Sequence, residues 1–254
     1  MSWGIERQGE VAIVTMTAEA SAKEEWGFFH DLTETCDRLE DELPRCAVIF
    51  TGDGSRFAGG LDGERIRSLF ARGDLDEVRG WFARFSAVLL RLFTLPRPTV
   101  AALNGDALGT DLLAACACDF RVAVDHGARI GLDQLRQGIP LPSVFLELMR
   151  YAVGSRATSI ATLSGQLYDP HEALALGLVH QLAAAPDLMD TAERIARGAS
   201  VAPRQAYATT KHLLQADTLE RMDRLSTRLD TSLGAALFSE ANLAARSGVW
   251  QRPN

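Results

Sequence analysis

Apolar runs of strand length alternate with segments of helical spacing through the first half of the chain. Val11–Met16 and the continuous apolar run Cys46–Thr51 predict strands, and the second of these is expected to be buried on both faces. The segment between them, Trp26–Leu43, carries apolar side chains at intervals of three and four residues, which predicts a helix. Alternating strands and helices are typical of layered α/β folds, in which the connecting helices cover a sheet.

Two glycine-bearing turns follow predicted strands. The first turn, Gly52–Asp62, follows Cys46–Thr51 and contains four glycines. The second turn, Asn104–Asp111, lies between a predicted strand at Thr99–Leu103 and a predicted helix at Leu112–Ala117. Glycine lets a backbone adopt positive φ and approach a ligand closely, and N–H groups at helix starts bind anions and oxyanions. We therefore expect the two turns to direct two backbone N–H groups at one ligand oxygen.

The remaining periodic segments are helical. Asp76–Thr94 has helical spacing and ends before Pro96. The segment Ala202–Asn254 contains no strand candidate, and part of it carries an apolar stripe with spacings of three or four residues. This stripe can pack on the chain's own core or against a neighbouring subunit, and the sequence leaves both interpretations open. Its members are Leu219, Met222, Leu225, Leu229 and Leu233.

The composition is that of a folded protein, with 47% hydrophobic and 23% charged residues. A formal net charge of -7 argues against a nucleic-acid surface, because neutralising phosphates needs a basic stripe. The four cysteines lack CxxC spacing, so we expect small buried side chains in a reducing compartment. We find no targeting pattern and no apolar stretch of membrane-spanning length, and therefore expect a cytoplasmic protein.

Several classes of site have no support in the sequence. The glycine spacings GxGxxG and GxxxxGK[ST] of nucleotide-binding turns are absent, and no serine lies in a G-x-S-x-G turn. The five histidines show no metal-ligand spacing to another His, Cys or carboxylate, so no metal site is expected.

Four segments, in the same order along the chain, resemble the motifs of the crotonase family, also called the enoyl-CoA hydratase/isomerase family. Phe57–Asp62 resembles F-x-A-G-x-D, and Arg97–Gly109 resembles K/R-P-x-I-A-A-V-N-G-x-A-x-G. Cys118–Ala123 is similar to C-D-x-R-I-A, and Leu163–Val179 is similar to L-T-G…E-A-x-x-x-G-L-V. The resemblance implies a crotonase-like spiral of ββα units over residues 1–200. It also implies a C-terminal helical region over 201–254 that serves oligomerisation, and a homotrimer or a dimer of trimers.

The resemblance also implies a substrate and a way of binding it. The family binds the carbonyl of an acyl-CoA thioester with two backbone N–H groups, which by position belong here to Leu61 and Thr110. Coenzyme A (CoA) is then a part of the substrate, and no separate cofactor is expected. Arg56 and Lys211 lie near positions where relatives carry basic residues at the CoA phosphates or adenine, although either could equally be a solvated charge. The other residues that the resemblance places at the substrate or CoA are Ala58, Gly59, Gly60, Asp62, Gly109, Leu113 and Gln134.

Both glutamates that hydratases of the family use as acid and base are replaced. Their positions fall on Leu113, which has no proton to exchange, and on Gln134, whose amide is no base near neutral pH. Asp111 and Asp133 are the candidate replacements. Asp111 could instead be the N-cap of the helix that follows the second turn, and Asp133 could instead be a solvated loop carboxylate.

Three functions follow as hypotheses. The first is an enzyme that forms an enolate on an acyl-CoA or related carbonyl compound with changed acid and base residues: an isomerase, decarboxylase, carbon–carbon hydrolase or lyase. The second is a catalytically silent protein that binds acyl-CoA or serves as an assembly subunit. The third is an ordinary enoyl-CoA hydratase.

Overall fold

Two sheets organise the chain in the computed structural model, which describes residues 3–17, 27–58, 68–69, 72–229 and 233–239. The larger sheet has six strands in the spatial order β1-β2-β3-β4-β6-β9, and the smaller has three in the order β5-β7-β8. In the larger sheet β1 pairs antiparallel with β2, and all other pairs are parallel. In chain order the strands are β1 (Gly4–Gln8), β2 (Val11–Met16), β3 (Ala47–Gly52), β4 (Thr99–Leu103), β5 (Ala107–Leu108), β6 (Phe120–Val124), β7 (Ile130–Gly131), β8 (Leu167–Tyr168) and β9 (Gln181–Ala183).

Helices cover both faces of the larger sheet. The helix α4 (Ser143–Ser164) is kinked at Gly154, whose φ of 79° and ψ of 160° are not helical. A short 3₁₀ turn at Gln134–Gln137 lies between β7 and α4. The described α-helices are α1 (Gly27–Glu42), α2 (Leu75–Phe93), α3 (Thr110–Ala117), α4 (Ser143–Ser164), α5 (Pro170–Leu176), α6 (Leu188–Ala199), α7 (Arg204–Leu229) and α8 (Leu233–Leu237).

The central strands consist mainly of apolar residues because both of their faces are buried. In β3, Val48 and Phe50 face the core formed with α1 to α4, whereas Ala47 and Ile49 face a second core that includes Leu188, Ala192 and Ala196 of α6. Successive side chains of a strand point to opposite faces, so a strand covered on both sides carries no alternating polar residues. The predicted doubly buried strand and the α/β class are therefore confirmed.

The helix predicted at Asp76–Thr94 is observed as α2, one residue earlier at each end. Asp74 begins it, since its side chain accepts hydrogen bonds from the N–H groups of Asp76 and Glu77, both at 3.0 Å. Such N-caps satisfy N–H groups that have no partner within the helix. The apolar side of α2 then packs Phe82 and Phe85 against Phe145 of α4.

Three members of the C-terminal apolar stripe pack on the chain's own core. Met222 is buried in the larger core, and Leu219 and Leu233 are half-buried against it. The side chain of Leu229 lies outside the described residues. The first of the two interpretations of the stripe is thus supported, while the domain boundary at residue 200 and the oligomerisation role stay predictions.

All four cysteines are free and buried, as expected. Burial raises the pKa of the Cys36 thiol to about 12 and also raises the pKa of Cys118. Among the described helices, none combines the length and apolar character that crossing a lipid bilayer requires. The described residues also contain no group of three or more His, Cys, Asp or Glu side chains placed to hold a metal ion.

Candidate active site

The two turns meet at one edge of the larger sheet. β3 and β4 are neighbours and run parallel, so their carboxyl ends lie side by side, and each strand leads directly into one of the turns. This edge is where open parallel sheets bind ligands. The first turn is described as far as Ala58, and its residues Gly59, Gly60, Leu61 and Asp62 lie outside the described residues.

Backbone hydrogen bonds join the first turn to the second. The N–H of Phe57 donates to the carbonyl of Asp106 at 2.9 Å, and the N–H of Asp106 donates to the carbonyl of Ser55 at 3.0 Å. Arg56 and Asp106 form a parallel bridge between these bonds. The predicted convergence of the two turns is therefore observed for the part of the first turn that is described.

Asn104 also connects the turns, through its side chain. Its Oδ1 accepts from the N–H of Gly52 at 2.9 Å, and its Nδ2 donates to the carbonyl of Gly54 at 2.7 Å. This role was not predicted from the sequence. An Asn-Gly pair directly after a strand was the available signal, because short amide side chains often bond to nearby backbone in turns.

Two glycines are required where the turns approach each other. A Cβ on Gly105 would lie 2.0 Å from the carbonyl oxygen of Ser55. A Cβ on Gly52 would lie 2.0 Å from the carbonyl oxygen of Arg56. Both neighbours are backbone atoms, which a rotamer change cannot move away. A side chain at Gly105 would push the two turns apart, whereas a side chain at Gly52 would distort the first turn, to which Arg56 also belongs.

The smaller sheet holds the second turn from its other side. Asp106 accepts the backbone N–H of Arg129 at 2.7 Å and the Arg129 guanidinium at 2.7 and 3.1 Å. These hydrogen bonds raise the pKa of Arg129. The N–H of Gly109 donates to the carbonyl of Gly131 at 2.8 Å. Asp106 thus fixes the position of the second turn.

The helix α3 begins two residues earlier than predicted, at Thr110, and this changes the interpretation of Asp111. Gly109 is the N-cap, with φ of 57° and ψ of −110°, a conformation that favours glycine. Asp111 is the second residue of the helix and only 1% exposed. The N-cap alternative for Asp111 is therefore wrong, since the cap position is taken by a residue without a side chain.

Thr110 occupies the position that a backbone donor needs. As the first residue of α3, it has an N–H with no acceptor inside its own helix, and the helix dipole favours negative charge near that group. Thr110 is half-buried. The assignment of an oxyanion donor to Thr110 stays a prediction, as does that of Leu61.

Leu113 and Gln134, the positions predicted to correspond to the two glutamates, lie close to this helix start. Leu113 is fully buried in the larger core, and its N–H donates to the carbonyl of Gly109 at 3.1 Å. Gln134 begins the 3₁₀ turn, and its Nε2 lies 2.6 Å from the place of a Cβ on Gly109. The neighbouring Asp133 is half-buried, and its carboxylate accepts from the Gln137 amide at 2.8 Å.

The two basic candidates for CoA binding differ in their surroundings. Arg56 is exposed beside the second turn. Lys211 is 6% exposed, and its ammonium lies 2.9 Å from the Asp119 carboxylate and 3.3 Å from the Arg97 carbonyl.

Lys211 also lies near the amino-terminal end of β4, whereas the two turns lie at the carboxyl ends of β3 and β4. Asp119 bonds to the N–H of Thr99, the first residue of β4, whereas both turns follow carboxyl ends. A strand of five residues spans about 16 Å. These contacts join α7 to the sheet, and the CoA assignment of Lys211 stays a prediction.

Comparisons with known proteins agree with this architecture. The family model described as enoyl-CoA hydratase/isomerase matches residues 6–249. A curated protein of Thermus thermophilus named "Putative enoyl-CoA hydratase" is 35% identical over 192 residues, which are 73% of this chain and 72% of that one. Enoyl-CoA delta isomerase 3 of Arabidopsis thaliana is 26% identical over 238 residues, which are 89% of this chain and 98% of that one.

Solved structures show the same fold. The crystal structure of an enoyl-CoA hydratase/isomerase from Xanthobacter autotrophicus matches with a TM-score of 0.80 and 23% identity, over 99% of this chain and 94% of that one. This likeness confirms the predicted crotonase-like fold.

Proposed function

Because the chain belongs to the enoyl-CoA hydratase/isomerase family, we propose that it is an enzyme that forms an enolate on an acyl-CoA thioester or a related carbonyl compound. The observation that carries this proposal is the pair of hydrogen bonds between the turns, from Phe57 to Asp106 and from Asp106 to Ser55. These bonds fix the second turn at the helix start, where the Thr110 N–H has no acceptor in its own helix.

The chemistry that we assign to the two turns, at the carboxyl ends of β3 and β4, is carbonyl activation. The backbone N–H groups of Thr110 and Leu61 would bind the thioester oxygen and stabilise the negative charge that develops on it when a bond at the neighbouring carbon breaks. Backbone donors do not depend on the side chain that carries them. CoA enters this scheme as a part of the substrate.

The proton transfer requires a different group from those of hydratases. Leu113 has no titratable atom, and the Gln134 amide is no base near neutral pH. Asp111 lies one residue beyond the proposed donor, and Asp133 lies next to Gln134. We assign the proton transfer at the carbon beside the carbonyl to one of these carboxylates: it takes the proton in an isomerase or lyase, and in its protonated form it gives a proton to the enolate that carbon–carbon cleavage leaves in a decarboxylase or carbon–carbon hydrolase.

Two alternatives each rest on their own observation. The name of the Thermus thermophilus relative favours an ordinary enoyl-CoA hydratase. The residues Leu113 and Gln134 at the glutamate positions favour a silent acyl-CoA-binding or assembly subunit. Calorimetric titration with a panel of acyl-CoA thioesters, beside turnover assays on the same panel, separates the three. Binding without turnover supports the silent protein, and rapid hydration of crotonyl-CoA supports the hydratase.

The carboxylate assignment makes a direct prediction. Asp111→Asn or Asp133→Asn is expected to lower kcat at least about tenfold, because an amide of the same shape cannot exchange the proton. The exposed Asp187 supplies a matched control, since Asp187→Asn removes one negative charge from a surface position outside the two turns. Steady-state kinetics with the best thioester of the panel measures the effect. Wild-type kcat in both site variants would contradict the assignment.

We also propose a homotrimer or a dimer of trimers. Two adjacent leucines of α7, Leu213 and Leu214, are 69% and 64% exposed, and a subunit contact would cover them. Light scattering is expected to give three or six times the chain mass of 27.6 kDa. A monomer mass at all concentrations would contradict this part of the proposal.

A further inference from the structure

The side chain of His180 takes part in the pairing of β6 with the edge strand β9. The backbone N–H of His180 donates to the Arg121 carbonyl at 3.0 Å, and its ring nitrogen Nδ1 accepts the Arg121 backbone N–H, also at 3.0 Å. β9 has three residues and lies at the end of the larger sheet, next to β6. The imidazole therefore supplies one of the few hydrogen bonds that hold this short strand.

Both ring nitrogens of His180 lie against hydrogen-bond donors. Nε2 is 3.1 Å from Nη2 of Arg121, and a guanidinium nitrogen can only donate. A neutral imidazole has one acceptor nitrogen, whereas an imidazolium has none. The neutral ring can thus accept from one of the two Arg121 donors, and a protonated ring would place an N–H against each of them.

Arg121 is fixed more firmly than His180. Arg121 is 1% exposed, and its guanidinium donates to the carbonyls of Cys118, Ala152 and Leu178 at 2.9 to 3.0 Å. These carbonyls belong to the end of α3, to α4 just before its kink, and to the segment between α5 and β9. His180 is exposed, so a conflict with Arg121 is relieved by movement of His180 and its segment.

The charged groups around the ring disfavour its protonation. Burial of the ring and, second, the positive charge of Arg121 lower the pKa of His180 from 6.5 to about 4. Two other charged side chains belong to helices that pack on β9. Glu172 of α5 bonds to the cap of its own helix, and Arg194 of α6 donates to Gln181 at 3.4 Å. Among the described residues, no carboxylate bonds to the ring to compensate a positive charge on it.

We propose that His180 is an acid-sensitive latch, which holds residues 178–183 against β6 as a neutral ring and releases them when it is protonated. The inference is independent of the proposed function, since neither of the two turns takes part in it. The stability contributed by the neutral ring is complete above the ordinary pKa of 6.5 and is lost as the pH falls towards 4.

The test is amide hydrogen exchange of the full chain, read by mass spectrometry on peptides that cover residues 178–184. After correction for the intrinsic rate at each pH, protection of these amides should fall about tenfold between pH of about 7.5 and about 5. His180→Asn keeps a side-chain acceptor in the place of Nδ1 but does not titrate, so its protection should change less than about twofold. His171→Asn removes an exposed histidine of α5 and should behave like the wild type.

Protection that is equal at the two pH values in the wild type would overturn the latch. So would an equal fall in His180→Asn, or a fall that His171→Asn abolishes. If thermal melting shows that His180→Asn is unfolded, deuterium exchange at the imidazole carbon of wild-type His180 decides. A midpoint well below 6.5 supports the latch, and a midpoint at 6.5 or above overturns it.

Discussion

Thr110→Pro is expected to lower kcat by about 100-fold or more while leaving the chain folded. Proline has no backbone N–H, so the substitution removes the proposed oxyanion donor without changing any other proposed catalytic group. Proline is accepted at the first position of a helix, because its φ suits that position and the missing N–H has no partner within the helix. Gly109, which precedes it, is already outside the helical region that a following proline disfavours.

Thr110→Ala is the matched control, since it removes the same hydroxyl and methyl groups but keeps the N–H. We expect its kcat to stay within a few-fold of the wild type. The measurement is steady-state kinetics of both variants on the best thioester of the panel, with thermal melting to compare their stability. Wild-type activity in Thr110→Pro would show that the carbonyl is bound elsewhere.

Gly105→Ala is expected to remove activity and to lower the free energy of unfolding by about 3 kcal/mol or more. The added Cβ would lie 2.0 Å from the Ser55 carbonyl oxygen and 2.5 Å from its carbon. The two turns must separate to relieve this overlap, which breaks the hydrogen bonds between Ser55, Asp106 and Phe57. Denaturant unfolding gives the change in stability, and the thioester assay gives the change in rate.

Gly54→Ala is the control for Gly105→Ala. It tests whether the expected loss of activity and stability comes from the close contact at Gly105 or from the replacement of any glycine in the turns. No heavy atom of the described residues lies within 4 Å of a Cβ at Gly54, and its φ is not positive. A replacement of this kind restricts the unfolded chain and is expected to change stability by less than about 1 kcal/mol, in the stabilising direction. Equal losses in the two variants would contradict the role given to the close approach at Gly105.

The strands could be predicted from sequence because their patterns are local. β2 and β4 begin and end at the predicted residues, Val11–Met16 and Thr99–Leu103. A strand buried on both faces has a continuous apolar run bounded by polar or turn residues, and this pattern needs no knowledge of its neighbours. The glycine content of the two turns likewise indicated close backbone approach before the partner atoms were known.

The start of α3 and the contacts of Lys211 could not be predicted in this way. Gly109 caps the helix through its backbone conformation, so the sequence offers no Ser, Thr or Asp at the true start and draws attention to Asp111 instead. Lys211 pairs with Asp119, which is 92 residues away in the chain. Long-range pairing of charges depends on the fold, and a similar position in relatives does not reveal it.

The partners of the second turn were missed for a related reason. Arg129 reaches Asp106 across 23 residues because the pairing of β5 with β7 brings them together. Neither strand is longer than two residues, and such short strands leave no periodic pattern in a sequence. The candidate site could therefore be located from the glycines, whereas the contacts that hold it in position required the structure.

The burial of all four cysteines makes the protein a convenient scaffold for spectroscopic labels. Thiol reagents attack the thiolate, and the high pKa of Cys36 and Cys118 keeps both in the unreactive protonated form. A cysteine introduced at an exposed position, such as Asp53 in the first turn, would be the accessible thiol of the folded chain. A fluorophore attached there would report movement of the turn as a thioester binds.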